Sequence, residues 1–295
     1  MKIFNKKPFK VNGNIKLFSL ISNKSIESHA KVKGTKIDSL EKTPFSLPFW
    51  ETKYYKKIIK KYIKNYNKNI SILDAGCGDG RFTLLLLEMG FKNIVSVDSS
   101  IHSLKILDNK LKKINKSKYV TLVHGSILDV PFARNYFDII LCIGVLYYLN
   151  NNYEKGLKKI VKCLKKNGLL LETEPDKEGN ALKAMIFDGI HQYLNVVKKN
   201  KFIEYFGDKP IQLRCFDEKE LKNIFKTYNL NVLNKEIISL FPSILTIGRK
   251  NSLIVGIEND IKQIKKIRDS FDYFFNEKGV AKHKLWVLKK IENKI

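Results

Sequence analysis

What the chain lacks narrows the reading first. Its four cysteines, Cys77, Cys142, Cys163 and Cys215, are scattered and form no CxxC pair. Neither a zinc site nor a disulfide framework has its usual spacing, so no metal is expected. A reducing cytoplasm is the compartment that fits. The longest nearly apolar run, Ile139 to Leu149, is interrupted by Gly144 and is shorter than the roughly 18 to 20 residues a membrane-spanning helix needs. The lysines near the start precede only a brief apolar stretch, Ile15 to Ile21, which contains Lys16. That is poor material for a secretory signal. Internal repeats and low-complexity linkers are missing as well.

Arginine is scarce although the chain is strongly basic, with 55 Lys+Arg against 29 Asp+Glu and a formal net charge of +26. A field of that sign attracts polyanions such as RNA, DNA or acidic lipid. Nucleic-acid sites favour arginine for two-pronged contacts, however. Lysine excess beside abundant asparagine and isoleucine also fits a compositional bias with solvated surface lysines. A hydrophobic share of 44% is enough for a sizeable core.

Residues 1–48 show no sustained period and read as an N-terminal extension or lid, with Pro44 and Pro48 punctuating its end. From Phe49, apolar residues Tyr54, Tyr55, Ile58, Ile59, Tyr62 and Ile63 recur at helical spacing. Strand and helix signals then alternate. Strands are expected over Ile70–Ala75, Asn93–Val97, Tyr119–Val123, Phe137–Ile143 and Leu169–Thr173, and helices over Phe82–Met89, Ser100–Leu111 and Tyr153–Leu164. Such alternation builds a parallel sheet covered on both faces. Further on, Asn180–Lys199 reads as a helical insertion, Asp217 opens a helix, Leu230–Leu240 is strand-like, Asn259–Phe275 is helical and Lys282–Leu288 is the last strand. The expected organisation is one domain over 49–295 with cap insertions near 176–212 and 241–280.

The most informative segment runs Asp74-Ala75-Gly76-Cys77-Gly78-Asp79-Gly80-Arg81. A strand ends in an acidic residue, and glycines at alternate positions let a ligand approach the backbone without Cβ obstruction. In open α/β sheets ligands bind beyond the carboxyl ends of the strands. The third glycine comes one residue too early for the GxGxxG turn that seats a pyrophosphate, and a GxxxxGK[ST] phosphate loop is absent. The turn therefore suits a ligand without a pyrophosphate. At the end of the second strand, Asp98 offers an acceptor-only carboxylate that matches the two donor hydroxyls of a ribose. Its alternative role is to cap the following helix, with Asp98 or Ser99 at the opening position.

Asp74 to Gly80, Asp98, Gly125–Phe132, Phe137–Cys142 and Leu146–Leu149 fall in the order and spacing of class I S-adenosylmethionine-dependent methyltransferases, which the chain resembles most strongly over residues 49–175. Lys162–Gly168 is similar to that family's segment before the fifth strand, with Asn167 and Lys166 replacing a usual glycine and proline. The resemblance implies an α/β, doubly wound, seven-stranded and mostly parallel Rossmann-like sheet, with S-adenosylmethionine as cofactor. It implies that Asp74, Gly76, Cys77, Gly78 and Gly80 line the methionine moiety, Asp98 holds the ribose, Ser99, Ser126 and Ile127 flank the adenine, and Cys142 and Ile143 lie beneath the sulfonium. Ser126 stands where the family often has aspartate.

Methyl transfer to an oxygen acceptor also needs a proton removed. Tyr148, Glu174 and His191 are the candidate bases, with Tyr147 and Glu172 beside them. Each has a structural alternative: the tyrosines as packing, the glutamates as a solvated strand face, His191 as a satisfied helical histidine. The expected activity is methylation of a small-molecule acceptor (a metabolite, sugar or lipid headgroup). Methylation of tRNA or rRNA is the alternative, although no Asn/Asp-Pro-Pro-Tyr-like turn follows the fourth strand. A cofactor-binding protein without activity is a third reading.

Overall fold

The computed structural model describes residues 2–19, 47–206, 209–238, 262–263, 266–267, 269–270 and 279–291. At its centre, β3 (Ile72–Ala75), β4 (Ile94–Asp98), β5 (Val120–His124), β6 (Phe137–Cys142) and β7 (Leu164–Pro175) pair in parallel in the order β5-β4-β3-β6-β7. Two antiparallel strands, β11 (His283–Lys290) and β10 (Leu230–Ile238), extend the β7 edge. These seven strands are the expected ones, with ends shifted by a few residues.

Among the described residues the sheet has nine strands. A hairpin of β1 (Lys10–Asn12) and β2 (Ile15–Leu17) adds to the β5 edge, with β2 parallel to β5. The expectation of a loose N-terminal extension is thus corrected for its first part. Three-residue strands give too little alternation to be read, and Ile15 owes its burial to pairing across the sheet. The remainder of the extension, 20–46, lies outside the described residues, as does nearly all of the expected cap and helix between 241 and 280.

Helices cover both faces: α1 (Leu47–Ile63), α2 (Arg81–Glu88), α3 (Ile101–Lys113) and α4 (Tyr153–Cys163). Pro48 falls in the first turn of α1, where its missing N–H costs nothing. Gly90 (φ +87°) ends α2 as expected, with Phe91 N–H donating to the Leu86 carbonyl. Alternate residues along the strands separate into two cores. Val95, Val97, Leu170 and Trp286 pack with α4, while Ile72, Ile94, Leu171 and Leu285 pack with α1 to α3. Each fully buried aliphatic side chain contributes about 1.5–3 kcal/mol.

The segment after β7 is not one helical insertion. It forms α5 (Lys177–Phe187), α6 (Ile190–Lys199) and an antiparallel hairpin of β8 (Lys201–Phe206) and β9 (Lys209–Arg214). Gly189, at φ +83°, breaks the two helices apart, because a left-handed residue cannot continue a right-handed helix. α7 (Glu218–Thr227) follows, and Asp217 caps it by accepting from Glu220 N–H at 2.8 Å.

Candidate active site

The glycine turn between β3 and α2 is held from within. Gly76 and Cys77 N–H both donate to the Val97 carbonyl (2.8 and 3.0 Å), and Gly80 N–H donates to the Cys77 carbonyl at 3.0 Å. All three glycines have positive φ: +72°, +54° and +98° at Gly76, Gly78 and Gly80. Their surroundings differ. A Cβ at Gly76 would meet Val145 at 2.3 Å, and one at Gly80 would meet Leu107 at 2.2 Å, whereas one at Gly78 would meet nothing within 4 Å. Gly76 and Gly80 are therefore packing glycines, and the open space in front of the turn lies at Gly78.

Asp98 borders that space. One carboxylate oxygen accepts from Gly78 N–H and the other from Ser100 N–H, each at 2.8 Å. Ser100, not Asp98 or Ser99, is the N-cap of α3, its hydroxyl accepting from Ser103 N–H at 3.1 Å. The carboxylate thus stands at the carboxyl end of β4 without capping α3. Asp74 lies deeper, with Thr83 donating to it at 2.6 Å. Burial raises the Asp74 pKa to about 6, against the lowering effect of the Thr83 bond. Cys77 is buried, and burial pushes its thiol up.

On the far side, His124 is buried between two carbonyls: its Nδ1 is 3.1 Å from Ser19 O and its Nε2 is 3.1 Å from Ser99 O. It joins the N-terminal strand to the Asp98 loop. Ser126 turns inward on its own chain, its hydroxyl accepting from Leu128 N–H at 3.2 Å. Ile127 is buried beside it.

Cys142 and Ile143 close β6 and are buried. Gly144 N–H donates to the Thr173 hydroxyl at 2.7 Å, and the Tyr147 hydroxyl lies 3.7 Å from where a Gly144 Cβ would stand. Tyr147 is followed by Tyr148, ring centroids 4.4 Å apart, and Tyr148 donates to Glu204 of β8 at 2.8 Å. Tyr147 also stacks on His283 of β11 at 5.6 Å and 26°. Burial lowers the His283 pKa to about 4, with Lys282 lowering it further. Lys282 forms a buried ion pair with Glu51 of α1 at 2.9 Å.

The candidate bases are thus dispersed. Tyr148 lies against Tyr147 just past the end of β6 and is bonded to Glu204. His191 is exposed on α6. Glu172 and Glu174 do not share a solvated face: both are fully buried, Tyr153 donates to Glu172 at 2.9 Å, and burial raises both carboxyls, Glu174 the more because Glu172 is beside it. Strand alternation sends them to the α4 side, opposite Thr173. Glu51, Glu204, Lys282 and His283 escaped sequence reasoning. They come from three distant segments, and only the alternation of His283 with Leu285 and Val287 hinted that it points inward.

Residues 73–171 match the family model described as "Methyltransferase domain". The chain is 26% identical over 165 residues to the ubiquinone biosynthesis O-methyltransferase of Rickettsia akari (52% of this chain, 62% of that protein). It is 28% identical over 162 residues to the tRNA U34 carboxymethyltransferase of Campylobacter curvus, covering 52% of each. It spans about half the length of the curated relatives it matches. A solved structure described as a putative S-adenosylmethionine-dependent methyltransferase from Listeria monocytogenes superposes with a TM-score of 0.57 at 15% identity, over 81% of this chain and 99% of that one. Residues 73–171, which carry the glycine turn and Asp98, thus match a methyltransferase-domain model, and the chain shares the fold of solved S-adenosylmethionine-dependent methyltransferases.

Proposed function

We propose that the chain transfers a methyl group from S-adenosylmethionine to a small-molecule acceptor. The observation that carries this reading is the open space at Gly78, bordered by the Asp98 carboxylate. Asp98 would hold the ribose hydroxyls, and Ser99, Ser126 and Ile127 the adenine. Cys142 and Ile143 would form the floor beneath the reacting centre. Because the Gly76, Cys77, Gly78 and Gly80 N–H groups are already used inside the turn, the methionine carboxylate would turn to Arg81, whose guanidinium lies over Phe82 at 4.6 Å and near Tyr55 at 5.8 Å. The bound cofactor supplies an electrophilic methyl carbon on a positive sulphur. The protein orients the acceptor and excludes water, and the segment 176–212 is the enclosing wall.

Calorimetry with S-adenosylhomocysteine, followed by labelled-methyl transfer into metabolite fractions, tests this reading. Heat on binding and label in a small molecule are the expected results; no heat on folded protein sinks it. A second reading, methylation of tRNA or rRNA, draws on the +26 charge and on the relative named for tRNA U34. Micromolar or tighter tRNA binding that persists at physiological salt would favour it.

A further inference from the structure

We propose that His283 is the proton acceptor for a hydroxylated aromatic acceptor, which lies against the Tyr147 and His283 rings at the Gly144 end of β6; this rests on the methyl-transfer reading above. His283 is 7% exposed, and its Nδ1 has no hydrogen-bond partner among the described residues. Buried polar atoms are nearly always paired, so an orphaned ring nitrogen against Tyr147, near the end of β6, points to a ligand that completes it. The surroundings are aromatic: Tyr147 stacks on His283, Tyr148 stacks on Tyr147, and Tyr55 is buried on α1 with its hydroxyl bonded to Thr173. Thr173 in turn holds the Gly144 N–H. The Tyr147 hydroxyl beside Gly144 links this group to the β6 terminus, and Val145 against Gly76 links that terminus to the glycine turn.

The charged groups that face His283 from each neighbouring element are Lys282 on its own strand segment, Glu51 of α1, Glu204 of β8 and Lys183 of α5. Glu51 is committed to Lys282, and Glu204 accepts from Tyr148. Neither carboxylate is thereby required as the base. The imidazole is neutral at physiological pH, and its weak basicity matches an acidic O–H. A phenolic hydroxyl fits that demand far better than an aliphatic one. In the step, the acceptor O–H proton moves to Nδ1 and the oxygen's electron pair forms the new O–C bond. The pair of the broken C–S bond stays on sulphur, and Nδ1 later gives its proton to water.

The test uses full-length protein, S-adenosylmethionine and a panel of simple phenols of graded acidity, compared with primary alcohols. Turnover of phenols and not of alcohols is expected. In His283→Gln, S-adenosylhomocysteine affinity should stay within threefold while kcat falls on the order of 100-fold, and the loss should be greater for the less acidic phenols. A second readout keeps the idea testable if that variant misfolds: a phenol added to the wild-type S-adenosylhomocysteine complex should shift the His283 imidazole nitrogen resonance. Intact cofactor binding with no phenol turned over, with a variant that keeps full turnover, or with an unmoved resonance overturns the proposal. Absent cofactor binding would instead refute the functional reading beneath it.

Discussion

Asp98 and Gly78 are joined by a 2.8 Å hydrogen bond from the glycine N–H to the carboxylate, while the second oxygen takes the Ser100 N–H. One side chain thus fixes both the glycine turn and the start of α3. An amide at this position has one acceptor oxygen for two donors. Asp98→Asn should therefore leave one N–H facing an NH2 group. Charge-assisted bonds of this kind contribute about 1.5–3 kcal/mol, so S-adenosylhomocysteine affinity measured by calorimetry should fall about 10- to 100-fold. Unchanged affinity would remove Asp98 from the site.

The three glycines separate folding from binding. Gly78→Ala places a methyl in open space at φ +54°, costing about 1–2 kcal/mol of backbone strain. Its melting temperature should fall modestly, while cofactor binding is lost. Gly80→Ala drives its methyl into Leu107 and should show the larger fall in melting temperature. If the two variants lose stability and binding in the same proportion, Gly78 has no special place in front of the ligand.

Much of this was legible. β3, β4 and β6 are short, mostly apolar runs interrupted only by Asp74, Ser96 and Asp138 before their ends, close to how a strand buried on both faces must read, and the glycines at alternate positions disclosed the turn after β3. The hairpins β1–β2 and β8–β9 were not legible, because Lys10, Lys16, Lys201 and Glu204 dilute strands already too short to show a period. The cluster around His283 was hidden for another reason. His283, Glu51 and Glu204 acquire meaning only when β11, α1 and β8 meet, and no local spacing encodes that meeting.

His283 also carries a pH signature. Its folded pKa, about 4, lies below its ordinary value of 6.5. The neutral ring is favoured by the fold, so the contribution is full above 6.5 and is lost as pH falls toward 4. At roughly 1.4 kcal/mol per unit, the loss is on the order of 3 kcal/mol. Denaturant titrations of wild type and His283→Gln across that window should converge as pH falls, the difference between them cancelling contributions from carboxyls such as Asp74. Parallel curves would show that the imidazole is not held neutral.

At the other edge, His124 links Ser19 to Ser99. His124→Ala should free both carbonyls at a cost of about 1–3 kcal/mol. Hydrogen exchange should speed up at Phe18, whose N–H donates to the His124 carbonyl, and cofactor affinity should drop severalfold. Exchange at Phe18 that matches wild type would mean the strand is held by its ladder alone.

Gly179 of α5 sits so tightly on the chain before β11 that a Cβ there would lie 1.7 Å from the Ala281 carbonyl oxygen. Asp176 at the foot of that helix accepts from the Ala281 N–H at 3.1 Å. Any swing of α5 would therefore drag the backbone that bears Lys282 and His283. If a molecule enters at this face, rotation of the Tyr148 and Glu204 side chains is the route the packing leaves, because a rigid hinge at α5 would pull apart the wall that bears His283.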